Sequence, residues 1–116
     1  MEINVRDHEN VKIVDLTGEL ETNSAPNLEK ILIEFTKEEG MQVLINMENL
    51  DFASSAGLRV LLLISKQLKI MNGAMKMCGV NSIILEVFDI SGFIDIFSIY
   101  ENEEGALESF SRRRSS

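Results

Sequence analysis

The sequence predicts an α/β fold: one domain built on a mixed β-sheet of four to five strands flanked by about four helices. Three observations lead there. Short apolar runs alternate with stretches whose apolar residues recur every three or four positions. The first two short runs stand back to back as a hairpin, whereas helical stretches separate the later ones, as a partly parallel sheet requires. The chain has 116 residues, 45% of them hydrophobic and 26% charged, which suits a single core.

In the first strand Ile3 and Val5 alternate with polar neighbours, and His8-Glu9-Asn10 supplies turn chemistry. Val11, Ile13 and Leu16 continue on a second strand, expected to end at Thr17-Gly18. Ser24 is placed to cap a helix whose first turn holds Pro26, where a missing N–H costs little. Leu28, Ile31, Leu32 and Phe35 follow at helical spacing, Glu29, Lys30, Glu34 and Lys37 face water, and Gly40 is the expected stop. Residues 41–47 are too short a run for a helix and read as a central strand. Residues 48–55 are expected to form a loop carrying Leu50 and Phe52. A second helix is expected over 56–71, stopped by Asn72-Gly73. A strand over 74–80, a short helix over 81–90 with Ile84, Val87 and Phe88 inward, a strand over 97–100 and a helix over 103–110 complete the pattern. The domain is expected to span 1–110, and 111–116, with Arg112, Arg113 and Arg114, to be a flexible, frayed basic tail.

The totals narrow the function classes. Nineteen acidic side chains against eleven basic ones give a formal net charge of −8, a field that repels phosphate backbones and anionic lipid headgroups. Neither nucleic acid nor membrane is an expected partner. The lone Cys78 cannot form an internal disulfide and sits in an apolar strand pattern, so it reads as a core residue. Residues 1–6 lack a basic head followed by an apolar run, and the densest apolar stretch, 58–64, is far short of the roughly 20 residues a spanning helix needs. A cytoplasmic location is the expectation.

Enzyme signatures are absent. The single histidine, His8, has no nearby His or Cys to share a zinc ion with, and no nucleophile has a histidine base beside it. No glycine-rich phosphate loop occurs, and Glu29, Glu34, Glu38 and Glu39 read as exposed acids on helix faces. No cofactor, metal or catalytic residue is expected.

The most informative stretch runs from Asp51 to Leu63, where Ser54 and Ser55 stand between a strand and a strongly apolar helix. One serine suffices to cap that helix, an interaction worth about 1 kcal/mol. Gly57 needs a further reason, because glycine in a helix costs up to about 1 kcal/mol against alanine. The start of a helix carries partial positive charge and unpaired donors, so a phosphoserine there is tolerated while it adds about −1.5 to −2 charges to the surface. Ser55, Arg59, Leu62 and Lys66 recur at spacings of four, three and four, one stripe below the serine. Gly57, Leu61, Ile64, Leu68 and Met71 form the adjacent seam, assigned to the core. The first stripe is then the candidate partner face.

Phe52-Ala53-Ser54-Ser55-Ala56-Gly57-Leu58 resembles the phosphorylation motif of the STAS domain family, particularly its bacterial anti-sigma-factor antagonists. That motif is an aromatic residue, two variable positions, a serine, a small residue and Gly-Leu. Thr17-Gly18-Glu19-Leu20-Glu21 is similar to the family's loop after the second strand, and Ser91-Gly92-Phe93 through Phe97, with Glu103 to Leu107, to its C-terminal end. The resemblance implies a single STAS-like domain that binds an anti-sigma factor, itself a serine kinase, and is released when Ser55 is phosphorylated. A PP2C-type serine phosphatase reverses the step, and any ATP belongs to the kinase. Many relatives have Asp before the modified serine, where this chain has Ser54, making Ser54 an alternative acceptor. The partner-binding set implied is Glu21, Ser54, Ser55, Gly57, Arg59, Leu62 and Lys66, on a monomer or weak dimer. The alternative is a STAS module serving as a structural subunit of a signalling assembly or as an adaptor of a lipid transporter, with Ser55 acting only as a cap.

Overall fold

Among the described residues five strands pair in the order in which the chain makes them: β1 (Glu2–His8), β2 (Val11–Leu20), β3 (Gln42–Ala53), β4 (Ala74–Cys78) and β5 (Ser98–Tyr100). This computed structural model describes the backbone of residues 1–115 and the side chains of residues 1–111. β1 and β2 are antiparallel and the remaining pairs are parallel, joined by α1 (Ala25–Phe35), α2 (Ser55–Ile70) and α3 (Ser82–Ile90). With α4 (Glu103–Ser115) this is the mixed sheet with four helices that the alternation predicts.

Side chains alternate across the sheet and divide the core in two. Val14, Leu16, Val43, Ile45, Met47, Met75 and Met77 face α1, α2 and α3, meeting Leu28, Leu32, Leu61, Ile64 and Phe88. Val11, Ile13, Leu44 and Cys78 face the other way, onto Ala106 and Phe110 of α4. Covered on both faces, β3 is apolar at Val43, Leu44 and Ile45 in succession, and all three are fully buried. Lys76 on the α4 side is the buried charged residue among the described ones. Its Nζ donates to Ser109 Oγ at 2.7 Å and lies 4.5 Å from the Phe110 ring centre and 5.4 Å from that of Tyr100. At the start of α4, Glu103 accepts hydrogen bonds from Arg6 at 2.5 Å and from Asn46 at 2.9 Å, tying the helix to β1 and β3.

The elements depart from the sequence reading at several places. Residues 48–53 are strand rather than loop. β2 runs on past Thr17-Gly18, and its bulged end pairs Thr17 with Asn49, Gly18 with Leu50, Glu19 with Phe52 and Leu20 with Ala53. Leu50 and Ala53 are buried by that pairing, which a mixed apolar and acidic run does not announce. Ser24 does not cap α1. Its backbone is helical (φ −96°, ψ −20°) and not extended as a cap requires, and its Oγ instead accepts from the Glu21 N–H and donates to the Glu19 carbonyl, both at 2.9 Å. α1 ends at Phe35, short of Gly40, where Thr36 Oγ1 donates to the Ile33 carbonyl. The backbone of α4 continues through Ser115, while the side chains of the expected tail from residue 112 on, and residue 116, lie outside the described residues.

Candidate functional site

Between the end of β3 and the start of α2 lies one residue, Ser54, and the site is built around it. Its backbone is extended (φ −84°, ψ 162°), and its Oγ accepts the Gly57 N–H at 3.1 Å. Its own N–H donates to the Leu20 carbonyl at 2.9 Å, joining the end of β2 to the start of α2. Of the two adjacent serines, Ser54 is therefore the cap.

Ser55 is the first residue of α2 and is exposed. Free of the capping task, its Oγ lies 2.8 Å from Ser91 Oγ, a hydrogen bond in which either hydroxyl can donate. Ser91 follows α3, and its place is set from both sides. Its N–H donates to the Val87 carbonyl at 2.9 Å, then Gly92 takes a left-handed conformation (φ +77°) and Phe93 N–H returns to the Phe88 carbonyl at 2.8 Å. Phe97 holds that turn down, its ring centre 5.5 Å from that of Phe88 and 6.1 Å from that of Phe93.

The other residues expected at a partner face separate into two groups. Arg59 and Lys66 are exposed and Leu62 is half-buried, so the stripe below Ser55 borders solvent. Gly57 is buried and packs on Leu20, which leaves no room for a Cβ. Its part is to let α2 approach β2, and any effect on a partner is indirect. The seam assigned to the core is buried at Gly57, Leu61, Ile64 and Leu68 and half-buried at Met71. Glu21 is exposed just past the end of β2; since Leu20 pairs with Ala53, Glu21 and Ser55 stand at the same end of the sheet.

Beside Glu21 is a cleft of about 590 Å³ whose lining includes Glu19, Glu21, Asn23, Asn27 and Asp51. Three carboxylates make it a poor receptacle for a phosphate-bearing ligand and a complement to basic groups. Cys78 is buried under α4, and burial, with Glu103, Glu48 and Asp15 nearby, pushes its thiol up to about 11. It is remote from nucleophilic chemistry. No helix among the described residues is long and apolar enough to cross a membrane.

Two residues of this region escape the sequence reading. Leu63, 50% exposed, extends the apolar part of the α2 face, and its place in a dense apolar run hides that exposure. Ser91 lies 36 positions from Ser55, and no spacing rule connects them.

The family model of the STAS domain matches residues 2–106. The chain is 37% identical over 98 residues to BtrV of Bordetella bronchiseptica, by name an anti-sigma factor antagonist, covering 84% of each chain. It is 32% identical over 108 residues to the anti-sigma F factor antagonist of Paenibacillus polymyxa, covering 92% of each. Among solved structures, the anti-sigma factor antagonist SpoIIAA in its unphosphorylated form superposes with a TM-score of 0.79 at 20% identity, covering 99% of this chain and 98% of that one. SpoIIAA of Bacillus in its phosphorylated form gives 0.72 at 18% identity, covering 94% and 99%.

Proposed function

This chain belongs to the STAS domain family, and on that premise we propose that it is an anti-sigma factor antagonist switched by phosphorylation of Ser55. Unphosphorylated, it docks on an anti-sigma factor that is also a serine kinase and so frees a sigma factor for transcription. The kinase transfers phosphate from ATP to Ser55, the complex parts, and a PP2C-type phosphatase restores the hydroxyl. The chain performs no chemistry of its own and works in the cytoplasm. Its relatives carry the antagonist name, and SpoIIAA exists in both phosphorylated and unphosphorylated forms on this fold.

One observation carries the choice of residue: Ser54 caps α2, which leaves the exposed Ser55 hydroxyl with no duty in holding the helix. A phosphate on Ser55 adds about −1.5 to −2 charges at the head of the Arg59, Leu62 and Lys66 stripe. A partner fitted to that stripe then faces a charge it has no means to desolvate, while the fold is left intact. Glu21, at the same end of the sheet, adds a charged contact at the rim.

The test is binding to the host's anti-sigma serine kinases with and without ATP. The wild type and Ser55→Ala are expected to bind, whereas Ser55→Asp and the phosphoprotein are not. Ser54→Ala should still take up phosphate. Undiminished binding by the phosphoprotein would overturn the switch, and phosphate found on Ser54 alone would move it.

A further inference from the structure

We propose that Ser91 is a positioning residue for phosphoryl transfer to Ser55, holding its hydroxyl in a single rotamer with one lone pair turned outward. The inference rests on the phosphorylation of Ser55 proposed above, but its geometric half is independent of any partner. A serine side chain at a helix start rotates among staggered wells unless something holds it. Here the 2.8 Å bond to Ser91 Oγ is the hold. Ser91 can serve because it is itself fixed, by its N–H bond to the Val87 carbonyl, the turn at Gly92, and the tilted and edge-on contacts of the Phe97 ring with Phe88 and Phe93.

The chemistry sets the direction of the bond. A serine oxygen has one proton and two lone pairs. With Ser91 donating, Ser55 keeps one lone pair and its own proton free. In the transfer, that lone pair forms the bond to the γ-phosphorus of ATP while the bond from that phosphorus to the β–γ bridging oxygen breaks. ADP leaves with the electron pair, and the Ser55 proton passes to a base on the kinase. Ser91 neither gains nor loses a proton in the sequence. Its contribution is orientation, which raises the turnover of a bound acceptor more than its affinity.

Two measurements on the full chain test this. In the unmodified protein, the three-bond Hα–Hβ couplings of Ser55 are expected to take the limiting values of one staggered rotamer in the wild type and in Ser91→Thr, but intermediate, rotamer-averaged values in Ser91→Ala. With the anti-sigma kinase that phosphorylates the wild type, Ser91→Ala is expected to lower kcat about fivefold, the equivalent of about 1 kcal/mol for one hydrogen bond, with KM held and with recovery in Ser91→Thr. Ser98→Ala, an exposed serine on β5, is the control and should match the wild type in both. Couplings in Ser91→Ala that equal those of the wild type overturn the proposal whatever the kinase does. Averaged couplings in that variant, with no kinase acting on the wild type, uphold the hold on Ser55 and remove the switch instead.

Discussion

Gly57 is pressed so closely on Leu20 that a Cβ at position 57 would stand 2.7 Å from Leu20 Cγ and 2.9 Å from the Leu20 carbonyl oxygen. That same carbonyl accepts the Ser54 N–H. The glycine therefore sets how near α2 comes to β2, and with it where Ser54 and Ser55 are presented. Gly57→Ala gains up to about 1 kcal/mol of helix propensity but meets backbone and a fully buried side chain, an overpacking of about 1–3 kcal/mol. The expected outcome is net destabilisation of about 1–2 kcal/mol, seen as a lower urea midpoint at unchanged slope. A stabilised variant would show that Leu20 yields freely.

The two adjacent serines are expected to part company on substitution. Ser54→Ala removes the acceptor of the Gly57 N–H and should cost about 1 kcal/mol. Ser55→Ala removes a hydroxyl whose hydrogen bond, to Ser91 Oγ, is exposed to competing water, and should cost less, about 0.5 kcal/mol. Thermal unfolding of both variants at one pH separates the roles, and equal losses would contradict the assignment of the cap.

Acid should weaken the fold partly through Arg6. Its guanidinium donates to both oxygens of Asp15, at 2.6 and 2.9 Å, and to Glu103 at 2.5 Å. Those hydrogen bonds hold both carboxyls below their usual range. Unfolding returns them to values near 4, so the unfolded chain takes up protons first as pH falls. The contribution is fully present above about pH 5 and is lost as the pH drops through the lower folded-state values. Arg6 is 43% exposed, which keeps the effect to about 1 kcal/mol or less. Denaturation of Arg6→Met between pH 3 and 6 should show a shallower acid slope than the wild type, and parallel curves would remove the network from the account.

Cys78 should be silent until the chain unfolds. With its thiol pushed up to about 11, the thiolate that reacts with iodoacetamide is scarce at pH 8. Alkylation in native buffer is expected to be slower than in denaturant by on the order of 100-fold. Native labelling at the denatured rate would mean that α4 leaves the sheet readily.

Much of this protein was legible along the chain. The alternation of period-two and helical stretches determined an α/β domain, because strands and helices each bury one face, and the pair of serines before an apolar helix pointed to the candidate site through the local chemistry of a helix start. The extent of β3 was not legible: residues 48–53 carry Glu48, Asn49 and Asp51 among their apolar neighbours, and they become strand only because the end of β2 lies alongside to pair with them. Nor could sequence divide the labour between Ser54 and Ser55, since either has the chemistry of a cap. The extended backbone at Ser54 decides it, and that angle is set where α2 lands on Leu20. Ser91 belongs wholly to the tertiary structure. A hydroxyl contact between residues 36 positions apart exists because α3 and the turn after it fold back over the start of α2, and nothing in the local spacing of either segment encodes that meeting.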